Sequence, residues 1–139
     1  MTILLPQDDS AMWPGLPLKG HICCMRFGDE KYFWTVEHLI LLSSELAHKF
    51  VKVETVLKTI RSGKWFQQGQ APTIGDVLDH IERAMNAEAK YPIILSAEGR
   101  VMDGAHRIVA ASIRGEIEIA AVQFTVNPKP QYVEKENTA

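Results

Sequence analysis

The stretch Tyr91 to Gly115, YPIILSAEGRVMDGAHRIVAASIRG, constrains the fold more than any other part of the chain. Ile93, Ile94 and Leu95 make a short apolar run, Glu98-Gly99 has turn chemistry, and Val101-Met102 resumes the run, so the segment predicts a hairpin. Gly104 then breaks the second strand. From Ala105 onward Ile108, Val109, Ala111 and Ile113 allow a helix, and Gly115 falls where a C-terminal cap needs positive φ. A glycine, a histidine and an arginine therefore meet where a strand turns into a helix N-terminus. Such a terminus offers backbone N–H groups and the positive end of the helix dipole, and Arg107 adds a planar forked donor suited to phosphate. Gly104, Ala105, His106 and Arg107 are accordingly the candidate phosphate-binding residues.

The surrounding chain is long enough to bury a core around that turn. Its 139 residues, 46% apolar and 23% charged, fit one globular domain. A formal net charge of -2 gives no support to general binding of polyanions, which usually goes with a strongly basic surface. There is no apolar stretch long enough for a membrane span, and the N-terminus lacks a basic region leading into a signal-like core. A cytoplasmic protein with no membrane partner is the expectation. Cys23 and Cys24 are adjacent, which is poor geometry for a mutual disulfide and argues for thiols.

Residues 1–20 are broken by Pro6, Pro14, Pro17, Gly15 and Gly20 and are expected to run as an extended arm, pinned to the body by Trp13 and Leu16. The domain proper is placed at residues 21–126. His21 to Phe27 and Tyr32-Phe33-Trp34 predict a hairpin around Gly28-Asp29-Glu30. Thr35 is a good N-cap for a helix carrying Val36, Leu39, Ile40 and Leu46, which should end near His48. Phe50 to Val53 reads as a strand, and Val56 to Ile60 as a short helix. Thr73 with Asp76 makes a capping arrangement ahead of Ile74, Val77, Leu78, Ile81 and Met85, whose helical spacing predicts an amphipathic helix. Glu116 to Phe124 closes the domain as a strand. The tail from Asn127 is polar and proline-broken, and residues 127–139 are expected to be flexible.

Each candidate group has a functional and a structural role open to it. Asp103 beside a phosphate turn suits a magnesium ligand or a base, and equally a side-chain cap of the following helix. Glu98 is a second candidate for the catalytic carboxylate. His106 and Arg107 suit phosphate contact, or alternatively a backbone bond for the histidine and a carboxylate partner for the arginine. His80 and Arg83, three residues apart, suit a phosphate or a solvated helix face, the latter being the default. Trp65 and Gln70, in the loop-like WFQQGQAP, are candidate base or lid contacts, against an ordinary role in closing the edge of a core. His21, Cys23, Cys24, His38 and His48 have no spacing that makes a metal site.

The order of apolar strand, turn, Asp103-Gly104-Ala105-His106-Arg107, alanine-rich helix, glycine and strand resembles the ParB N-terminal domain and sulfiredoxin superfamily. The resemblance covers Tyr91 to Phe124, about a quarter of the chain. It implies an α/β (α+β) fold with a small mixed sheet flanked by helices, and a nucleoside di- or triphosphate (ATP, ADP or CTP), with or without magnesium, bound over the Gly104 turn. Its members include CTP-binding partition proteins, ATP-dependent sulfiredoxins and kinases of free serine. The sulfiredoxin nucleophile stands immediately before the histidine, where this chain has Ala105, so sulfur repair is not implied. Hydrolysis or phosphoryl transfer to a small hydroxyl compound, nucleotide sensing coupled to a protein partner or a homodimer, and a DNA-associated or nuclease role are the alternatives left open. Partition on DNA would need a helix-turn-helix after the motif; with 15 residues following Phe124, DNA binding by this chain alone is not expected.

Overall fold

Ile93 and Leu95 must point to one face of a sheet and Ile94 to the other, because side chains alternate along a strand. All three are buried, so their sheet has to be covered on both sides. The computed structural model, which describes residues 13, 15–61, 71–86 and 91–135, shows how this is done. Its elements are β1 (Ile22–Phe27), β2 (Glu30–Thr35), α1 (Val36–Ser43), β3 (Lys49–Lys52), α2 (Val53–Ile60), α3 (Ile74–Met85), β4 (Ile93–Leu95), β5 (Val101–Asp103), α4 (Ala105–Ile113), β6 (Glu118–Gln123) and β7 (Tyr132–Lys135). The fold is mixed α+β. A four-stranded sheet has the order β3-β6-β4-β5, with β4 and β6 parallel and the other pairs antiparallel. A three-stranded antiparallel sheet has the order β1-β2-β7.

The two faces of the larger sheet carry separate cores. Ile93, Leu95, Ile119 and Ala121 pack on Val53 and Val56 of α2 and on Ile108 and Ala111 of α4. Ile94, Met102, Val122 and Phe124 face the other way, onto Leu39 of α1 and Cys23, Met25 and Trp34 of the smaller sheet. The alternation within β4 and β6 therefore sets the layering.

Local chemistry explains most boundaries. Gly28, at φ +64°, turns β1 into β2, and Thr35 caps α1 by accepting from His38 N. α1 stops at Ser43, short of the expected end near His48, and the chain then turns into β3. Val53 starts α2 rather than ending β3: its N–H donates to Ile117 O at 2.9 Å, and helix replaces strand from there. At α3 the Thr73 backbone and side chain bond Asp76 reciprocally, which also holds the Asp76 carboxyl below its ordinary range. α4 closes with a Schellman motif, in which Gly115 N donates to Ser112 O and Glu116 N to Ala111 O while Gly115 sits at φ +75°.

Two expectations need correction. The stretch after Asn127 is not a loose tail up to Lys135. Trp34, fully buried, donates its indole N–H toward Pro128 O and Lys129 O at 3.2 Å each, Gln131 Oε1 accepts from Thr35 N at 2.6 Å, and β7 then joins β2. A buried indole N–H has to find an acceptor, and this segment supplies it. α3 is a helix at the predicted place, but it buries the flank beside its apolar stripe and not the stripe itself. His80 and Ala84 are its buried residues, while Ile74, Val77, Leu78, Ile81 and Met85 are exposed. At the N-terminal end Trp13 packs edge-on against Phe33, with centroids 5.1 Å apart. Among the described residues no helix is long and apolar enough to cross a membrane.

Candidate functional site

β5 ends at Asp103, and Gly104 caps α4 with φ +118°, a conformation that L side chains rarely adopt. The glycine is also required by space. A Cβ at this position would lie 2.4 Å from Ile93 Cγ2 and 3.1 Å from Arg107 Nη2. Ile93 is fully buried in the core strand and has nowhere to move, while the guanidinium of Arg107 folds back over the turn. Gly104 thus gives Arg107 its seat.

In that seat Arg107 Nη2 donates to Asp103 Oδ2 at 2.7 Å, the two side chains being only 16% and 11% exposed. Asp103 therefore neither caps α4, whose N-cap carries no side-chain bond, nor stands apart as a metal ligand or base. It is the carboxylate partner of Arg107. His21, just before β1, brings its Nδ1 to 4.0 Å from Asp103 Oδ1. The Nε edge of the same guanidinium is buried without a hydrogen-bond partner, the one such side-chain nitrogen or oxygen among the described residues. A half-satisfied buried guanidinium is costly, because a desolvated donor left unmatched forfeits its bond to water.

His106 turns toward α3. Its Nε2 lies 3.0 Å from Nδ1 of His80, with the rings within 5° of parallel. One ring donates and the other accepts, so a single proton sits between them. Burial pushes the His106 pKa down from 6.5 to about 4, with His80, Arg83 and His21 pushing the same way and Asp103 opposing them. His106 is consequently neutral at physiological pH; of these groups the permanently charged ones are Arg83 and Asp103, one of each sign.

The site thus joins Asp103, Gly104, Ala105, His106 and Arg107 with His21 and His80. Glu98 does not belong to it. That residue sits at the tip of the β4-β5 hairpin, at the opposite end of β5 from Gly104, where Asn127 Nδ2 donates to its carboxylate at 2.8 and 2.9 Å. Trp65 and Gln70 lie outside the described residues. His80, expected on a solvated face, is instead buried against His106. His80 is legible in the sequence only as one of an i, i+3 pair with Arg83, with a solvated face as the default, and His21 carries no local signal, since each reaches the turn through packing between elements distant in sequence. Cys23 and Cys24 are free thiols raised by burial to about 12 and about 11, so neither is a thiolate at neutral pH. Beside Arg107 a groove of about 160 Å³ runs past Phe50, Ala110, Arg114, Glu118 and Ile119. Small-molecule pockets hold roughly 300–1,000 Å³, so this groove alone does not enclose a nucleotide.

Compared with known proteins, the chain finds no match: no family model, no curated protein and no solved structure is significantly similar to it.

Proposed function

We propose that the Gly104 turn binds the phosphate of a nucleoside di- or triphosphate, and that the protein is a nucleotide-binding module rather than a hydrolase. The observation that carries this is the buried Nε of Arg107 left without an acceptor at the first turn of α4. A phosphate oxygen would satisfy that donor once the Arg107 side chain shifts to admit it, and would add charge-assisted bonds from backbone N–H groups at the positive end of the helix dipole. The Asp-Gly-x-His-Arg resemblance to nucleotide-binding ParB and sulfiredoxin-like domains agrees with it.

Binding is preferred to turnover because of what the carboxylates do. Asp103 is neutralised by Arg107, and Glu98 is held at the far end of the hairpin, so neither is poised to ligate magnesium or to take a proton from an attacking hydroxyl. A cytoplasmic setting, with nucleotides at hand and thiols kept reduced, fits both the ligand and the two cysteines. A thermal-shift screen of ATP, ADP, CTP and GTP, each with and without magnesium, tests the proposal, because a ligand that binds only the folded state raises apparent stability. One nucleotide should raise the melting temperature selectively. If none does at millimolar concentration, the ligand is not a nucleotide.

A further inference from the structure

A surface helix normally turns its apolar stripe to the core, and α3 does not. It rests on α4 through His80 and Ala84, and Ile74, Val77, Leu78, Ile81 and Met85 are 81%, 40%, 52%, 50% and 51% exposed. At 3.6 residues per turn these five fall within an arc of about 100°, about a quarter turn from the buried edge. Scattered apolar residues on a surface are ordinary, but a whole stripe on one helix marks an interface.

We infer that this stripe is a homodimer interface, in which α3 of one copy packs antiparallel on α3 of a second. The first ground is spacing. Ile74, Leu78, Ile81 and Met85 follow the four-three-four rhythm of a coiled-coil seam. Under a two-fold axis midway along the helix, Ile74 meets Met85 of the second copy and Leu78 meets its Ile81, so each of the four seam positions finds an apolar one, while Val77 beside the seam meets Glu82. The second ground is charge. Asp76, Asp79 and Arg83 lie off the stripe, and the positions beside the seam are Gly75, Val77, Ala84 and Glu82, so no row of like charges is brought together. The third is area. Five such side chains expose on the order of 500 Å² per copy, so a pair hides at most about 1,000 Å², the size of a weak, concentration-dependent interface.

The same pairing has a consequence for the turn. α3 carries His80, and a helix clamped on its outer side holds that ring more firmly against His106. The dimer does not depend on nucleotide binding, and its test has no ligand in it. Sedimentation or light scattering on the full chain should give twice the 15.6 kDa of one copy, rising toward that value with concentration through the micromolar range. Ile81→Asp and, as a second variant, Leu78→Asp should each return the mass to that of one copy with unchanged circular dichroism, since both side chains are already exposed. Leu41→Asp, on the exposed side of α1, should leave the dimer intact. A parent protein of single-copy mass at every concentration overturns the inference and leaves the stripe to a different partner. So does a dimer that survives both α3 substitutions, or one lost only in Leu41→Asp.

Discussion

At the scale of single residues the turn rests on Gly104. Its positive φ excludes most side chains energetically, and Ile93 beneath it excludes a Cβ by contact. Gly104→Val should therefore destabilise the fold by about 2–5 kcal/mol, adding backbone strain to overpacking. It should also displace the Arg107 guanidinium. A denaturant titration checks the first effect, and a Gly104→Val protein as stable as the parent would show that the turn is not strained as described. Arg107 is tied to the fold by a different route. Removing it leaves the Asp103 carboxylate desolvated and unpaired, so Arg107→Ala is a stability change as well as a binding change, and any test of phosphate contact has to separate the two.

At the scale of elements, β7 is held by more than its own sequence. Deleting residues from Pro128 onward would remove the strand, the Gln131 bond to Thr35 and the acceptors of the Trp34 indole. Losing a buried partner and a strand edge together should cost about 2 kcal/mol or more, read as a melting temperature lower by roughly 5–10 °C. An unchanged melting temperature would mean that β7 lies outside the cooperative unit. This segment also marks where sequence stops being legible. The hairpin at Gly28, the Thr73-Asp76 capping box, the β4-β5 hairpin, and the glycines that open and close α4 were all readable, because each is a local rule in which a residue type meets a backbone requirement. β7 was not, since NPKPQYVEKENTA has the composition of a loose tail and only a distant tryptophan gives it a place. The α3 face was misread for a related reason. Periodicity locates an apolar stripe but does not say whether this chain or another molecule covers it. In the site, Asp103, Gly104, His106 and Arg107 were legible as a motif, whereas His21 and His80 arrive from other elements and Glu98 departs with the hairpin tip.

At the scale of the whole molecule, the neutral His106 links stability to pH. Its pKa is lower folded, about 4, than unfolded, 6.5, so between these values the unfolded chain binds more protons. Stability is then complete above pH 6.5 and is lost as pH falls from there toward 4. After discounting for solvent screening of this partly exposed ring, the loss should be about 1–2 kcal/mol. Thermal melts across that window should show the decline, and His106→Gln should flatten it; an equally steep decline in the variant would place the responsible proton elsewhere. The central claim, that Arg107 meets phosphate at the α4 N-terminus, is most directly tested by titration calorimetry on three proteins: the parent, Asp103→Asn, and Asp103→Asn combined with Arg107→Ala. In the last two no unpaired carboxylate is left behind, and in Asp103→Asn the amide oxygen can still accept from Arg107 although the charge partner is lost; with circular dichroism showing that both variants are folded, any difference between them belongs to the guanidinium. A charge-assisted contact is worth about 1.5–3 kcal/mol, which predicts nucleotide binding roughly tenfold to a hundredfold weaker in the double variant than in Asp103→Asn. Equal affinity in those two folded proteins would contradict the claim and leave Arg107 as the structural partner of Asp103.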